Sequence, residues 1–143
     1  MNKMKQSFLL LLVSCLMPFS VFANVLNPVV IENLTDSDAT ASSVAFNNAC
    51  SKDVGGIIKP HGSIKIKASL INTSCVSKVC DAQIHMSGNC SGSIIGTAEI
   101  SSNGGIINLS SMNESSFRLR KIDEFHAVIE GGETKNLFRL LFG

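Results

Sequence analysis

Four of the five cysteines, Cys50, Cys75, Cys80 and Cys90, fall in one stretch of the chain, and the fifth, Cys15, lies inside an apolar N-terminal segment. An even cysteine set behind an export-type leader describes a small domain stapled by disulfides in an oxidising compartment. Lys3 and Lys5 precede the apolar run from Phe8 to Met17, and Val21 and Ala23 stand three and one before a cut ahead of Asn24. That order of charge, apolar core and small residues is the order of a secretory signal peptide. Pro18 interrupts the run, which is also shorter than the roughly 20 apolar residues of a membrane-spanning helix. A signal peptide over residues 1–23 and a single domain over 24–143 are therefore expected, with no transmembrane segment in the mature form. The location expected is periplasmic or secreted, in a bacterium. Leu12-Val13-Ser14-Cys15 resembles the lipobox of bacterial lipoproteins, so the alternative is a lipoprotein anchored through Cys15. Against it, the residues after Cys15 stay apolar.

Removing the leader leaves about 120 residues of the 143, enough for one modest core. It also removes two of the twelve basic residues and leaves the eleven acidic ones, so the mature charge is near −1. No bulk attraction to nucleic acid or anionic membrane follows. Trp and Tyr are absent, and Phe46, Phe117, Phe125, Phe138 and Phe142 are the only mature aromatics. Stacking platforms for sugars or single-stranded nucleic acid are thereby disfavoured.

Short alternating segments separated by turn residues fill the chain. Val25–Glu32 reads as a first strand, placed at an edge because Pro28 cannot donate to a ladder. Ser43–Asn47 and Ile57-Ile58 read as further strands, and Lys59-Pro60-His61-Gly62 as a type I turn. Ser63–Leu70 sets Ile64, Ile66, Ala68 and Leu70 on one face and Lys65 and Lys67 on the other, the period of a half-buried strand. Ala82–Ser87 with Ser93–Ile100 reads as a hairpin, followed by a turn at 102–105 into Ile106–Leu109. Phe117–Ile122, Phe125–Glu130 and Asn136–Phe142 complete the set. The fold expected is all-β, a disulfide-stapled β-sandwich or flattened barrel of about eight or nine short antiparallel strands, with no amphipathic helix.

Strand length ranks the cysteine pairings. If Ala82–Ser87 is extended, Cys80 and Cys90 lie roughly 25–33 Å apart at about 3.3 Å per residue, whereas a disulfide needs Cα atoms about 4.4–6.8 Å apart. Cys75–Cys90 meets the same objection, which leaves Cys75–Cys80 and Cys50–Cys90. Metal or redox use is disfavoured, since the spacing lacks the zinc-knuckle pattern and there is no Cys-x-x-Cys.

No catalytic constellation stands out. Cys80, His85 and Met86 superficially match the ligand types of a copper centre, with His61 or His126 as second imidazole, but adjacent His85 and Met86 point to opposite faces of a strand. His126 with Asp123 and Glu124 reads as surface turn residues, without a nucleophile elbow. The one constellation retained is Lys65, Lys67, Arg118 and Arg120, which would form a cationic stripe for an anionic partner if their strands were neighbours. The expectation is a binding protein or structural accessory, not an enzyme, with no cofactor, no metal and no nucleic acid, and with a protein or anionic surface as partner. Two alternatives stand beside it. One is a pilin-like, self-assembling surface subunit using β-augmentation, with the segment Leu137–Phe142 suspected. The other is an enzyme or copper protein with a site around His85 and His61.

Overall fold

The computed structural model describes residues 27–43 and 47–132. Within them are strands β1 (Val29–Asn33), β2 (Thr40–Ser43), β3 (Ala49–Cys50), β4 (Ser63–Ile66), β5 (Val79–His85), β6 (Ile94–Ser101), β7 (Gly105–Ser111), β8 (Phe117–Asp123) and β9 (His126–Gly131). A helix, α1 (Ala68–Ser74), and 3-10 turns at Ser51–Val54 and Val76–Lys78 complete the set. One sheet has the order β4-β1-β9-β8 and the other β3-β2-β5-β6-β7, so the fold is a two-sheet, all-β sandwich. Every strand pair is antiparallel except β1 with β9, which run parallel with Ile31 beside Ala127. The leader and the expected last strand Asn136–Phe142 lie outside the described residues, as do residues 44–46 of the second expected strand.

Alternation builds the core. On β5 and β6 the register sets Cys80, Ala82 and Ile84 beside Ile100, Ala98 and Gly96, all on the inner face. Facing them from the other sheet are Val29, Ala127 and Ile129, at 1 %, 3 % and 0 % exposure. Two aliphatic clusters result, one around Val29, Ile71, Ile100 and Ile106, the other around Ile58, Ile84, Ile95 and Ile129. Ile64, Ile66, Phe117 and Leu119 pack against them from half-buried positions, as their alternation requires.

One long side of the sandwich is closed by two side-chain bonds and one backbone bond where a ladder is missing. Leu119 N–H donates to Ser111 Oγ at 2.8 Å, Lys121 Nζ donates to the Ile106 carbonyl at 2.7 Å, and Ile106 N–H donates to the Glu124 carbonyl at 2.6 Å. β7 and β8 are thereby drawn together although they belong to different sheets. Gly96 makes this possible, because a Cβ there would run into the Leu119 side chain and the Ser110 carbonyl. Gly105, at φ +68, passes equally close to the Glu124 carbonyl.

Asn33 pins the loop that leaves β1. Fully buried, it donates from Nδ2 to the Ser37 and Ile58 carbonyls at 2.7 and 3.1 Å, and its Oδ1 accepts from the Thr35 amide and hydroxyl at 3.1 and 2.7 Å. The Asn33-Leu34-Thr35 triplet is thus a structural knot.

Four local expectations are corrected. The alternation of Ser63–Leu70 ends at Ile66, and Ala68 begins a helix whose Ala68 and Ile71 are buried while Leu70 is 53 % exposed. Residues three and four apart share a helix face, so Ala68, Ile71 and Cys75 form the inner stripe that the strand reading missed. β1 is interior, flanked by β4 and β9, because Pro28 falls just before the strand and removes no ladder bond. The turn at Lys59–Gly62 closes by Gly62 N–H to the Lys59 carbonyl at 2.9 Å but carries His61 at φ 56, which fits the positive-φ third position of type II and excludes type I. The parallel β1–β9 pair breaks the all-antiparallel expectation, since those strands meet through a connection spanning most of the chain and not through a hairpin.

Candidate binding surfaces

Cys50 bridges Cys90 with Cα atoms 5.8 Å apart, and Cys75 bridges Cys80 with Cα atoms 5.1 Å apart. The first ties the short edge strand β3 to the loop that leaves β5, and the second closes the turn between α1 and β5. Thr40 Oγ1 sits beneath the first bridge, donating to the Ser87 carbonyl at 2.9 Å and accepting from Cys90 N–H at 3.0 Å.

The three histidines occupy separate partnerships. His61 meets Asp36 at 2.8 Å on the exposed turn, His126 meets Glu32 at 3.3 Å on the outer face of the four-stranded sheet, and the Nε2 of His85 lies 2.9 Å from Ser42 Oγ in a buried position. His85 Nδ1 has no hydrogen-bond partner among the described residues. Asp123 is used locally, accepting from Phe125 N–H at 2.8 Å. Among the described residues no group of three His, Cys, Asp or Glu side chains could hold a metal ion. His85 and His61, set together in the enzyme or copper alternative, therefore stand in different settings, one buried against a hydroxyl and one exposed against a carboxylate.

The cationic stripe is not formed as expected. Lys65, Arg118 and Arg120 are exposed on the outer side of the same sheet and exposed Lys67 follows β4 as the N-cap of α1, but β4 and β8 are the two edges of that sheet, with β1 and β9 between them. Three strand spacings of about 4.8 Å put the pairs roughly 14 Å apart. Between them stand Glu32, His126 and Glu130. Arg120 is committed to Glu130 by a two-point contact, Nε to Oε1 and Nη2 to Oε2, both at 3.1 Å. That hydrogen bond, and then the neighbouring charge, hold its guanidinium above its ordinary pKa.

Lys65 of β4 and Lys67 at the start of α1 stand in different company. Lys65, Lys67, Ser69, Leu70 and Thr73 line an open depression of about 450 Å³ between β4 and α1. Sequence reasoning found its lysines but missed Leu70 and Thr73, because it assigned the segment to a strand. The signal available was the helical spacing of Ala68, Ile71 and Cys75. On the other sheet, Asp81 and Glu99 lie directly opposite each other on the outer face. Among the described residues no helix is long and apolar enough to cross a membrane.

The described residues thus form a small two-sheet sandwich stapled by two disulfides. No family model and no curated protein matches the sequence. Among solved structures, the type II secretion system substrate NttC of Legionella pneumophila is similar in fold, with a TM-score of 0.58 at 21 % identity over 74 % of this chain and 98 % of that one.

Proposed function

We propose that this chain is an exported protein that acts by binding or as a structural accessory, not by catalysis. The observation that carries the reading is the two-bridge sandwich, a construction suited to an oxidising compartment, behind a leader-like segment over residues 1–23. Its likeness in fold to a protein described as a secretion substrate supports the same compartment. Expression of the full chain in a bacterial host, with fractionation and intact mass, tests it. The expected product is periplasmic or secreted, begins at Asn24 and carries no free thiol. A cytoplasmic, uncleaved product would sink the reading, and a diacylated Cys15 would replace it with a lipoprotein.

For the pilin-like alternative, the sheet edges bear on the choice. β7 and β8 face each other, β3 has two residues, and β4 has four and carries Lys65 on its exposed side. Short or charged edges discourage strand addition. What supports β-augmentation is the apolar segment 137–142, which lies outside the described residues.

A further inference from the structure

A near-neutral total charge conceals a local separation. From Val54 to Cys80 the chain contains Lys59, Lys65, Lys67 and Lys78 and no carboxylate. Ile66 of β4, Ile71 of α1 and both Cys75 and Cys80 pack into one core cluster, so β4, α1 and the bridged turn build the same end of the molecule. Lys65, Lys67 and Lys78 are exposed there, and none forms an ion pair with a described carboxylate. The same segment presents the aliphatic side chains of Leu70 and Val76 to solvent at 53 % and 73 % exposure. Directly after Val76, Ser77 and Lys78 adopt φ of 55 and 61, a left-handed pair that non-glycine residues avoid and that the adjoining bridge encloses. Strain of this kind collects where a loop is held out for use.

We propose that this end of the molecule is an interfacial site for an anionic lipid surface. Leu70 and Val76 enter the acyl boundary, and Lys65, Lys67 and Lys78 meet headgroup phosphates. The proposal rests on the reading of the chain as an exported binding protein and names its partner. Aliphatic insertion beside lysines is the two-signal arrangement that peripheral membrane binding needs, since neither signal is sufficient alone. An acidic protein partner is a poorer fit. Protein interfaces favour Trp, Tyr and Arg and are depleted in Lys, and the residues lining this depression include neither aromatics nor arginine. Lysine is a compact charge on a flexible stem that suits a plane of phosphates with no fixed fork geometry. The total charge of the mature chain is no obstacle, because at physiological salt each charge acts over only about 8 Å.

The test is co-sedimentation of the leader-processed, unacylated protein with vesicles of phosphatidylcholine alone and of phosphatidylcholine with about equal phosphatidylglycerol. Binding is expected to the anionic vesicles only, falling about tenfold or more between low and physiological salt. K65E/K67E and, separately, L70D/V76D should each weaken it about tenfold with melting temperature unchanged, while Arg118→Glu on the far edge should leave it intact. Equal binding to neutral vesicles, no binding at low salt, or indifference to L70D/V76D would overturn the proposal. So would full competition by monomeric short-chain phosphatidylglycerol, which would assign the depression to a soluble anionic amphiphile. A correctly exported, bridged protein that ignores vesicles loses this proposal alone. Failure of export loses the broader reading.

Discussion

Asn33 and Arg120 mark the two extremes of what one polar side chain does here. Arg120 is exposed, so its two bonds to Glu130 are screened by water and salt. Its raised pKa is a contribution present below the ordinary guanidinium value and lost only as pH climbs past the folded value, so it creates no pH dependence in the accessible range. Asn33 is buried and serves five partner groups within its own loop and the Ile58-Lys59 segment. Asn33→Ala would strand buried carbonyls and a hydroxyl, and a loss of about 2–4 kcal/mol is expected in urea denaturation. A change below about 0.5 kcal/mol would show that water replaces the side chain without cost.

At the scale of elements, α1 is the informative case. It has seven residues, too few to be stable alone, so it exists because Ala68 and Ile71 dock on the core and Cys75 is bridged beyond it. Ile71→Ala should cost about 2–5 kcal/mol, while Leu70→Ala, at a half-exposed position, should stay within about 0.5 kcal/mol. The opposite ranking in thermal or chemical melts would restore a strand through Leu70. The bridges differ in the length of chain they close, with sequence separations of 40 and 5. Loop-closure entropy grows with the logarithm of that length, so C50S/C90S should cost about 2 kcal/mol more than C75S/C80S. Equal losses would place the stabilisation in native-state contacts.

For the whole molecule, the decisive feature is that closure is uneven. Ser111 and Lys121 close the β7–β8 side through side-chain bonds, the bridge Cys50–Cys90 draws in the β3 edge, and beside β4 it is α1 that covers the core with Ala68 and Ile71. The two-bridge architecture suits an oxidising compartment, so cleavage before Asn24 and absence of free thiols are the outcomes expected if the chain is exported as proposed.

Much of this was legible in the residues. Alternation in Ala82–Ser87, Ser93–Ile100 and Phe117–Ile122 marked strands because side chains on a pleated backbone fall on opposite faces with period two. The length of the first of these segments set the cysteine pairing because an extended chain cannot bring its ends together. Both are local properties that a linear sequence records. Ser63–Leu70 shows where local reading stops: its apolar spacing suited a strand as far as Ile66, and only docking on Val29 and Ile100 chose a helix beyond it. Strand order is non-local altogether. Periodicity tells which face of Lys65 and Arg118 is wet, but backbone hydrogen bonds are the same for every sequence, so nothing local says which strand lies beside which. Packing of the two sheets set β1 and β9 between those cations. The bridges and the strand faces were written in the chain, while the division of one expected stripe into two separate surfaces was decided by tertiary structure.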